Sequence, residues 1–125
     1  MVTLDQVAEL ALALPGVEEG ERHGGRTWSV GGKVLAWERA FSKADVRRFG
    51  DAPVPEGPIL AVTVADLDEK EVVLAAAPRG VFTIEHFNGY PAVLVQLPVA
   101  SRRTVADLLA DAWSAKAPAR LLDGA

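Results

Sequence analysis

Apolar residues recur along this chain with two different periods, and glycine- or proline-rich segments separate the periodic stretches. A spacing of three to four positions predicts amphipathic helices over 3–13, 66–77 and 101–116. Thr3 and Gln6 match the pattern of a capping box at the start of the first of these helices. Helices are therefore predicted at both ends and in the middle of the chain.

The strongest strand signal is a β-hairpin over 26–37, with Gly31-Gly32 as its two-residue turn. Both central residues of such a turn need a positive φ, which glycine adopts without steric cost. Counting outward from the turn pairs Arg26 with Trp37, which predicts a cation–π contact of roughly 0.5–1 kcal/mol. The same register places one set of side chains on a single face: Arg26, Trp28, Val30, Lys33, Leu35 and Trp37.

Apolar runs predict further strands over 59–64, 81–85 and 92–97, the first of them central in the sheet. The glycine-rich segment 17–25 is interpreted as a loop or a short edge strand that leads into the hairpin. The predicted order is α-β-β-β-α-β-β-α, with the strands in hairpin-linked groups. This grouping indicates the α+β class: a single compact domain over 1–125, a mostly antiparallel sheet, and helices packed on one face.

Two connecting segments carry weaker signals. After the hairpin, Ser42 is placed to cap a short helix that ends at Gly50, with Val46 and Phe49 turned inward. After the last helix, we expect residues 117–125 to form a loosely held tail.

The composition limits the chemistry that this chain can perform. It has no cysteine, which excludes disulfides, thiolate nucleophiles and cysteine-ligated metals. His23 and His86 lack the spacing of metal ligands, and the glycines match neither a phosphate-binding loop nor a nucleophile elbow. We therefore expect no catalytic residue, no metal and no cofactor, and a protein that is not an enzyme.

The apolar pattern also bears on location. Half of the residues are hydrophobic and 24% are charged, as in globular proteins. The first residues lack the basic start and apolar core of a signal peptide, and no apolar run approaches the ~20 residues that span a bilayer. We expect a cytoplasmic protein with no membrane partner.

Charge is distributed unevenly along the chain. The net charge is −4, whereas nucleic-acid-binding domains are usually basic. Residues 22–50, however, contain seven basic and two acidic residues, a local charge of +5 that leaves −9 on the remainder. A polyanion would therefore have to bind at the hairpin region. The alternative is that these charged side chains are solvated surface residues without a ligand. The candidate phosphate-binding residues are Lys33, Arg39, Lys43, Arg47 and Arg48.

The aromatic residues allow two interpretations. Trp28 and Trp37 could form a stacking platform, as in proteins that bind single-stranded nucleic acids, although core packing is the favoured interpretation, especially for Trp28. Trp113 follows the helical periodicity and is expected to pack. His86 and Tyr90 mark a candidate small-molecule pocket.

Three segments of this chain resemble the MmcQ/YjbR family: EGERHGGRTWSVGGKVLAW over 19–37, FTIEHFNGYPAVLVQL over 82–97, and DAWSAKAP over 111–118. The strongest matches are the V-x-G-K turn at 30–33 and the H-F-x-G-Y run at 86–90. The resemblance covers almost the whole chain. It implies a compact α+β domain related to CyaY-like or secretion-chaperone-like folds, and a DNA-binding function.

Two hypotheses follow from these observations. The first is a non-enzymatic DNA-binding domain that contacts phosphates through the basic hairpin and connector, with low affinity and strong dependence on salt. The second is a protein-interaction or chaperone-like module that has no nucleic-acid role and binds an unidentified protein through an apolar patch or a sheet edge.

Overall fold

The computed structural model describes residues 1–123, which form an antiparallel sheet with helices on both sides. Along the chain the strands are β1 (Val17–Arg22), β2 (Gly25–Val30), β3 (Lys33–Glu38), β4 (Ile59–Thr63), β5 (Val81–Phe82) and β6 (Ala92–Gln96). Their spatial order is β1-β2-β3-β4-β6-β5, and every neighbouring pair is antiparallel. The predicted α+β class and mostly antiparallel sheet are confirmed.

The helices are α1 (Leu4–Leu12), α2 (Lys43–Phe49), α3 (Leu67–Ala76), α4 (Arg102–Lys116) and α5 (Ala119–Asp123), and a 3₁₀ turn spans Glu85–Phe87. Side chains outside the helices satisfy the free N–H groups of the first turns. Thr3 forms the predicted capping box with Gln6, and Ser101 caps α4. Ser42 caps α2, as predicted, through a capping box with Asp45.

The sheet separates two apolar clusters, because alternate side chains of each strand point to opposite faces. Leu60 and Val62 of β4 pack in the larger cluster, with buried residues of α1 and α4 and partly buried residues of α3. Ile59 and Ala61 belong to the smaller cluster on the opposite face, together with Phe87. Phe49 of α2 contacts Phe41 beside this cluster, so the prediction that the helices pack on one face is wrong for α2. All five residues of β4 are buried, as expected for a central strand.

The hairpin register differs from the prediction beyond the first two residue pairs. Val30 pairs with Lys33 as predicted, but Trp28 pairs with Ala36 and Thr27 with Trp37. A β-bulge inserts one extra residue, Leu35, into β3. Since a shift of one residue reverses the faces, Trp37 leaves the predicted face of Trp28 and packs against the smaller cluster.

Two local predictions need correction, and one open alternative is resolved. The predicted strand 81–85 is only two residues long and continues into the 3₁₀ turn. In α2, Val46 is 44% exposed instead of buried, while Asp45 is buried. For segment 17–25, the edge-strand alternative is confirmed, since β1 is an edge strand and a turn follows it.

The C-terminal segment packs against the domain over its described part. Residues Ala119–Asp123 form α5, and Leu121 is partly buried against the larger cluster. The last two residues of the predicted tail, 124 and 125, lie outside the described residues. Within 1–123, every helix is too short or too polar to cross a lipid bilayer.

Candidate functional site

Helix α2 is attached to the end of β3 by one buried carboxylate. Asp45 is 2% exposed, and its Oδ2 accepts hydrogen bonds from Arg39 Nη2 and from the Ser42 backbone N–H, both at 2.9 Å. Burial by itself would raise the pKa of Asp45, but the hydrogen bonds from Ser42 and Arg39 outweigh it and hold the pKa below its ordinary value. The Asp45 carboxylate therefore stays ionised and fixes the position of α2.

Arg39 is held by contacts within the protein. Its guanidinium pairs with Asp45, donates to the Ala40 carbonyl, and lies 5.6 Å from the ring centroid of Phe87. The side chain is only 19% exposed. Of the five candidate phosphate-binding residues, Arg39 is thus the one with the least freedom to reach a ligand.

Lys43, Arg47 and Arg48 lie on α2 with exposed side chains. Lys43 and Arg47 are four residues apart on this helix, so their side chains are neighbours on one face, as predicted. Arg48 is 43% exposed, and its Nη1 lies 3.6 Å from Asp45 Oδ1. The helix therefore presents a short positive surface.

Lys33 does not belong to this surface. It begins β3, beside the Gly31-Gly32 turn, whereas Arg39 follows the other end of the same strand. Five residue steps at ~3.3 Å separate the ends of β3 by roughly 17 Å. The turn instead lies near the C-terminal segment, since a Cβ at Gly31 would come within 3.1 Å of Pro118.

A cleft of about 480 Å³ opens beside Arg39. Its lining consists of Arg22, His23, Thr27, Val34, Trp37, Glu38, Arg39, Ala40 and Tyr90. Because of the bulge, Thr27 and Trp37 lie on the same sheet face and form part of its wall. Thr27 is 4% exposed, and the cleft thus combines aromatic rings, a buried threonine and basic side chains.

Three aromatic side chains support one wall of the cleft. The Trp37 ring centroid lies 6.2 Å from that of Phe87 in a stacked arrangement and 6.4 Å from that of Tyr90 in an edge-on arrangement. Phe87 and Tyr90 are 5.6 Å apart, also edge-on. Phe87 is buried while Tyr90 is 46% exposed, so the buried ring supports the exposed one.

Lys70 of α3 fixes the backbone that carries these rings. Its Nζ donates to the carbonyl oxygens of Phe87 at 2.6 Å and Tyr90 at 2.8 Å. The residue is 6% exposed, and burial lowers the pKa of its ammonium group. A buried cation thus anchors the turn that places Tyr90 at the cleft.

His86 and Tyr90 do not share one pocket. Tyr90 lines the cleft, whereas His86 lines a separate cavity of about 190 Å³ with Asp45, Arg48 and Thr83. The intervening Phe87 points into the core, which places the two side chains on different surfaces. The sequence-predicted small-molecule pocket is thus two cavities.

Sequence reasoning did not identify Arg22 and Thr27 as parts of the cleft. His23 and Gly24 form the turn between β1 and β2, since Arg22 pairs with Gly25, and His23 has a φ of 53°. A non-glycine residue with positive φ is uncommon, although histidine is enriched in this conformation. The His23-Gly24 pair is the sequence signal of this turn, within a segment whose composition fits either a loop or an edge strand.

Arg26 contacts a different tryptophan from the predicted one. Its guanidinium lies 5.5 Å from the ring centroid of Trp28, not over Trp37. It also pairs with Glu19 at 3.0 Å and with Asp5 at 2.9 Å. Arg26 therefore holds β1 and α1 against the hairpin on the side of the larger cluster.

No group of three histidine, aspartate or glutamate side chains within the described residues could hold a metal ion. The lining of the cleft presents aromatic rings, hydrogen-bonding groups and arginine side chains. These groups bind anions and planar molecules by charge, hydrogen bonding and stacking.

Comparison with known proteins identifies the family of this domain. A family model described as YjbR matches residues 12–115. Three proteins, two from strains of Mycobacterium tuberculosis and one from Mycobacterium bovis, are each 41% identical over 125 residues, covering 98% of this chain and 94% of theirs. All three are described as uncharacterised, and no solved structure matches the chain. With a model match over most of its length and relatives aligned almost end to end, the chain belongs to the YjbR family.

Proposed function

We propose that this protein is a non-enzymatic DNA-binding domain that contacts phosphates through α2. The observation that carries the proposal is the pair Lys43 and Arg47, exposed one helical turn apart on a helix whose own carboxylate is buried. Asp45 is occupied by Arg39, Arg48 and the Ser42 backbone, so the one acidic residue of α2 faces inward. The outward cations are then available to a polyanion.

The charge distribution supports the same surface. Residues 22–50 carry a local charge of +5, and the remainder of the chain carries −9. Within the first region, Lys43, Arg47 and Arg48 lie together on α2, so phosphates are attracted to this helix and repelled by the acidic remainder. A small number of phosphate contacts gives modest affinity that falls steeply with salt, because each contact releases condensed counterions.

The proposal is tested with fluorescence anisotropy of a labelled duplex at ~50 and ~200 mM salt. The test variant is Lys43→Gln with Arg47→Gln. The matched control is Arg102→Gln with Arg103→Gln on α4, which removes the same charge from the opposite side of the sheet.

We expect the α2 variant to bind more weakly and its salt slope to decrease by about 2, since each lost contact with B-DNA removes about 0.9 from the slope. The α4 variant should bind like the unaltered protein. Equal losses in both variants would show that only the net charge of the protein matters for binding. Absence of binding to both duplex and single-stranded DNA at ~50 mM salt would refute the proposal.

A further inference from the structure

We infer that the cleft beside α2 binds one unpaired base of single-stranded DNA, with Trp37 and Tyr90 as its stacking wall. This inference rests on the proposed function and names the form of DNA that the same surface prefers. The cleft volume of about 480 Å³ lies within the ~300–1,000 Å³ of small-molecule sites. A paired base keeps both faces within the duplex stack, so only an unpaired base has a face free for these rings.

The aromatic wall is built to keep its shape. Phe87 supports both Trp37 and Tyr90, and Lys70 holds the backbone carbonyls of Phe87 and Tyr90. Because these contacts exist in the protein alone, stacking requires little new ordering of side chains. Stacking of one base on a protein aromatic ring increases the affinity about tenfold. Every base can stack in this way, because each has a flat face.

Polar groups line the same cleft and match the edge of a base. Thr27 is almost completely buried in its wall, and Glu38 lies next to Arg39. Glu38 Oε1 accepts the Arg26 backbone N–H at 3.3 Å, which fixes the carboxylate at the wall. A hydroxyl and a carboxylate hydrogen-bond with the amino and imino groups of bases.

Two arginines, Arg22 and Arg39, line the cleft, which suits a ligand with phosphates next to a base. Arg22 and His23 are exposed at the turn between β1 and β2. Arg39 lines the cleft and also pairs with Asp45 of α2, which places this helix next to the cleft. A single strand with its base in the cleft then extends toward α2, whose outward face carries Lys43 and Arg47.

The test compares two labelled single strands of about twelve nucleotides, oligothymidylate and an abasic strand with the same number of phosphates. Both are titrated by anisotropy against the unaltered protein, Tyr90→Ala, Tyr90→Phe and Arg22→Gln. Tyr90 is 46% exposed, and denaturation midpoints verify that each variant is folded. Tyr90→Phe retains the ring, and Arg22→Gln removes a cation at the rim without touching the aromatic wall.

We expect oligothymidylate to bind about tenfold more tightly than the abasic strand, a difference that Tyr90→Ala abolishes and Tyr90→Phe retains. Arg22→Gln should weaken both strands equally. Equal, salt-sensitive binding of the two strands to the unaltered protein would overturn the base-binding inference and leave the proposed DNA binding intact. If neither strand nor the duplex binds at low salt, both the inference and the proposed function fail.

Discussion

At the scale of single residues, Glu19 shows how one side chain on an exposed strand stabilises the hairpin. Glu19 Oε1 accepts from Trp28 Nε1 at 2.9 Å, and both of its oxygens accept from the Arg26 guanidinium. The hydrogen bond from Arg26 lowers the pKa of Glu19, and the bond from Trp28 adds to this against the opposing effect of burial. Glu18, Glu19 and Glu21 are close together in the sequence, but the side chain of Glu19 is only 31% exposed because of these contacts.

We predict that Glu19→Ala lowers the free energy of unfolding by about 1–3 kcal/mol, because the indole N–H of the fully buried Trp28 loses its acceptor. Glu19→Gln should lower the free energy of unfolding by less, since its amide oxygen still accepts the hydrogen bond from the Trp28 indole. Glu18→Gln, on the same strand, is the control and should be nearly neutral. Urea denaturation followed by tryptophan fluorescence measures all three, and equal stability of Glu19→Ala and Glu18→Gln would contradict the role of Glu19.

Asp45 gives a pH-dependent prediction. Since the pKa of Asp45 is lowered in the folded protein, its contribution to stability is fully present above the unfolded value of about 4. The contribution is lost as the pH falls through the lowered folded pKa. Asp45→Asn should therefore reduce stability clearly at pH ~7 and less at pH ~3, because the contribution of the carboxylate declines once the pH is below the unfolded value.

Urea denaturation at the two pH values measures this difference. Asp51→Asn, at an exposed position just after α2, is the matched control. A stability difference between Asp45→Asn and the unaltered protein that stays constant with pH would contradict an ionised, structural Asp45.

At the scale of secondary-structure elements, the helix boundaries were largely predictable and the strand register was not. Thr3, Ser42 and Ser101 cap the helices that the sequence pattern predicted, because capping depends on residues only three positions apart. The bulge at Leu35 depends on how β3 pairs with both β2 and β4, and no local spacing marks it. That one residue decides that Trp37 contributes to the cleft and not to the larger cluster.

Lys70 connects two elements, α3 and the turn that carries Tyr90. We predict that Lys70→Met destabilises the protein by about 1–3 kcal/mol, because the carbonyls of Phe87 and Tyr90 lose their donor. It should also reduce the preference for oligothymidylate over the abasic strand, since Tyr90 is no longer held at the cleft. Lys33→Met, an exposed lysine at the start of β3, is the control.

The contribution of Lys70 to the free energy of unfolding should increase with pH, whereas that of a lysine in a stabilising salt bridge decreases with pH. Burial lowers the pKa of Lys70 in the folded protein, so between that value and the ordinary value of about 10.4 the unfolded chain binds more protons. Stability relative to Lys70→Met should therefore increase as the pH rises from ~7 to ~10. A relative stability that decreases over this range would show that the folded protein favours the charged form.

At the scale of the whole molecule, the distribution of charge and the two-sided sheet together define the surface proposed for DNA. The helices α1 and α4 cover the larger cluster, and the smaller cluster leaves room at its edge for the cleft and α2. This arrangement separates the five candidate phosphate-binding residues, because Lys33 lies at the far end of β3 and Arg39 pairs with Asp45. Lys43, Arg47 and Arg48 remain together on α2.

The sequence by itself determined helices α1 to α4, the turn of the hairpin, the α+β class and the resemblance to the family, since these depend on local periodicity, capping and short motifs. Only the tertiary structure decided which face Trp37 occupies, that His86 and Tyr90 lie apart, and that Arg22, Thr27 and Tyr90 line one cleft. These features depend on pairing between segments distant in the chain. A one-residue bulge reverses the side-chain faces beyond it, and local sequence patterns do not record such long-range pairing.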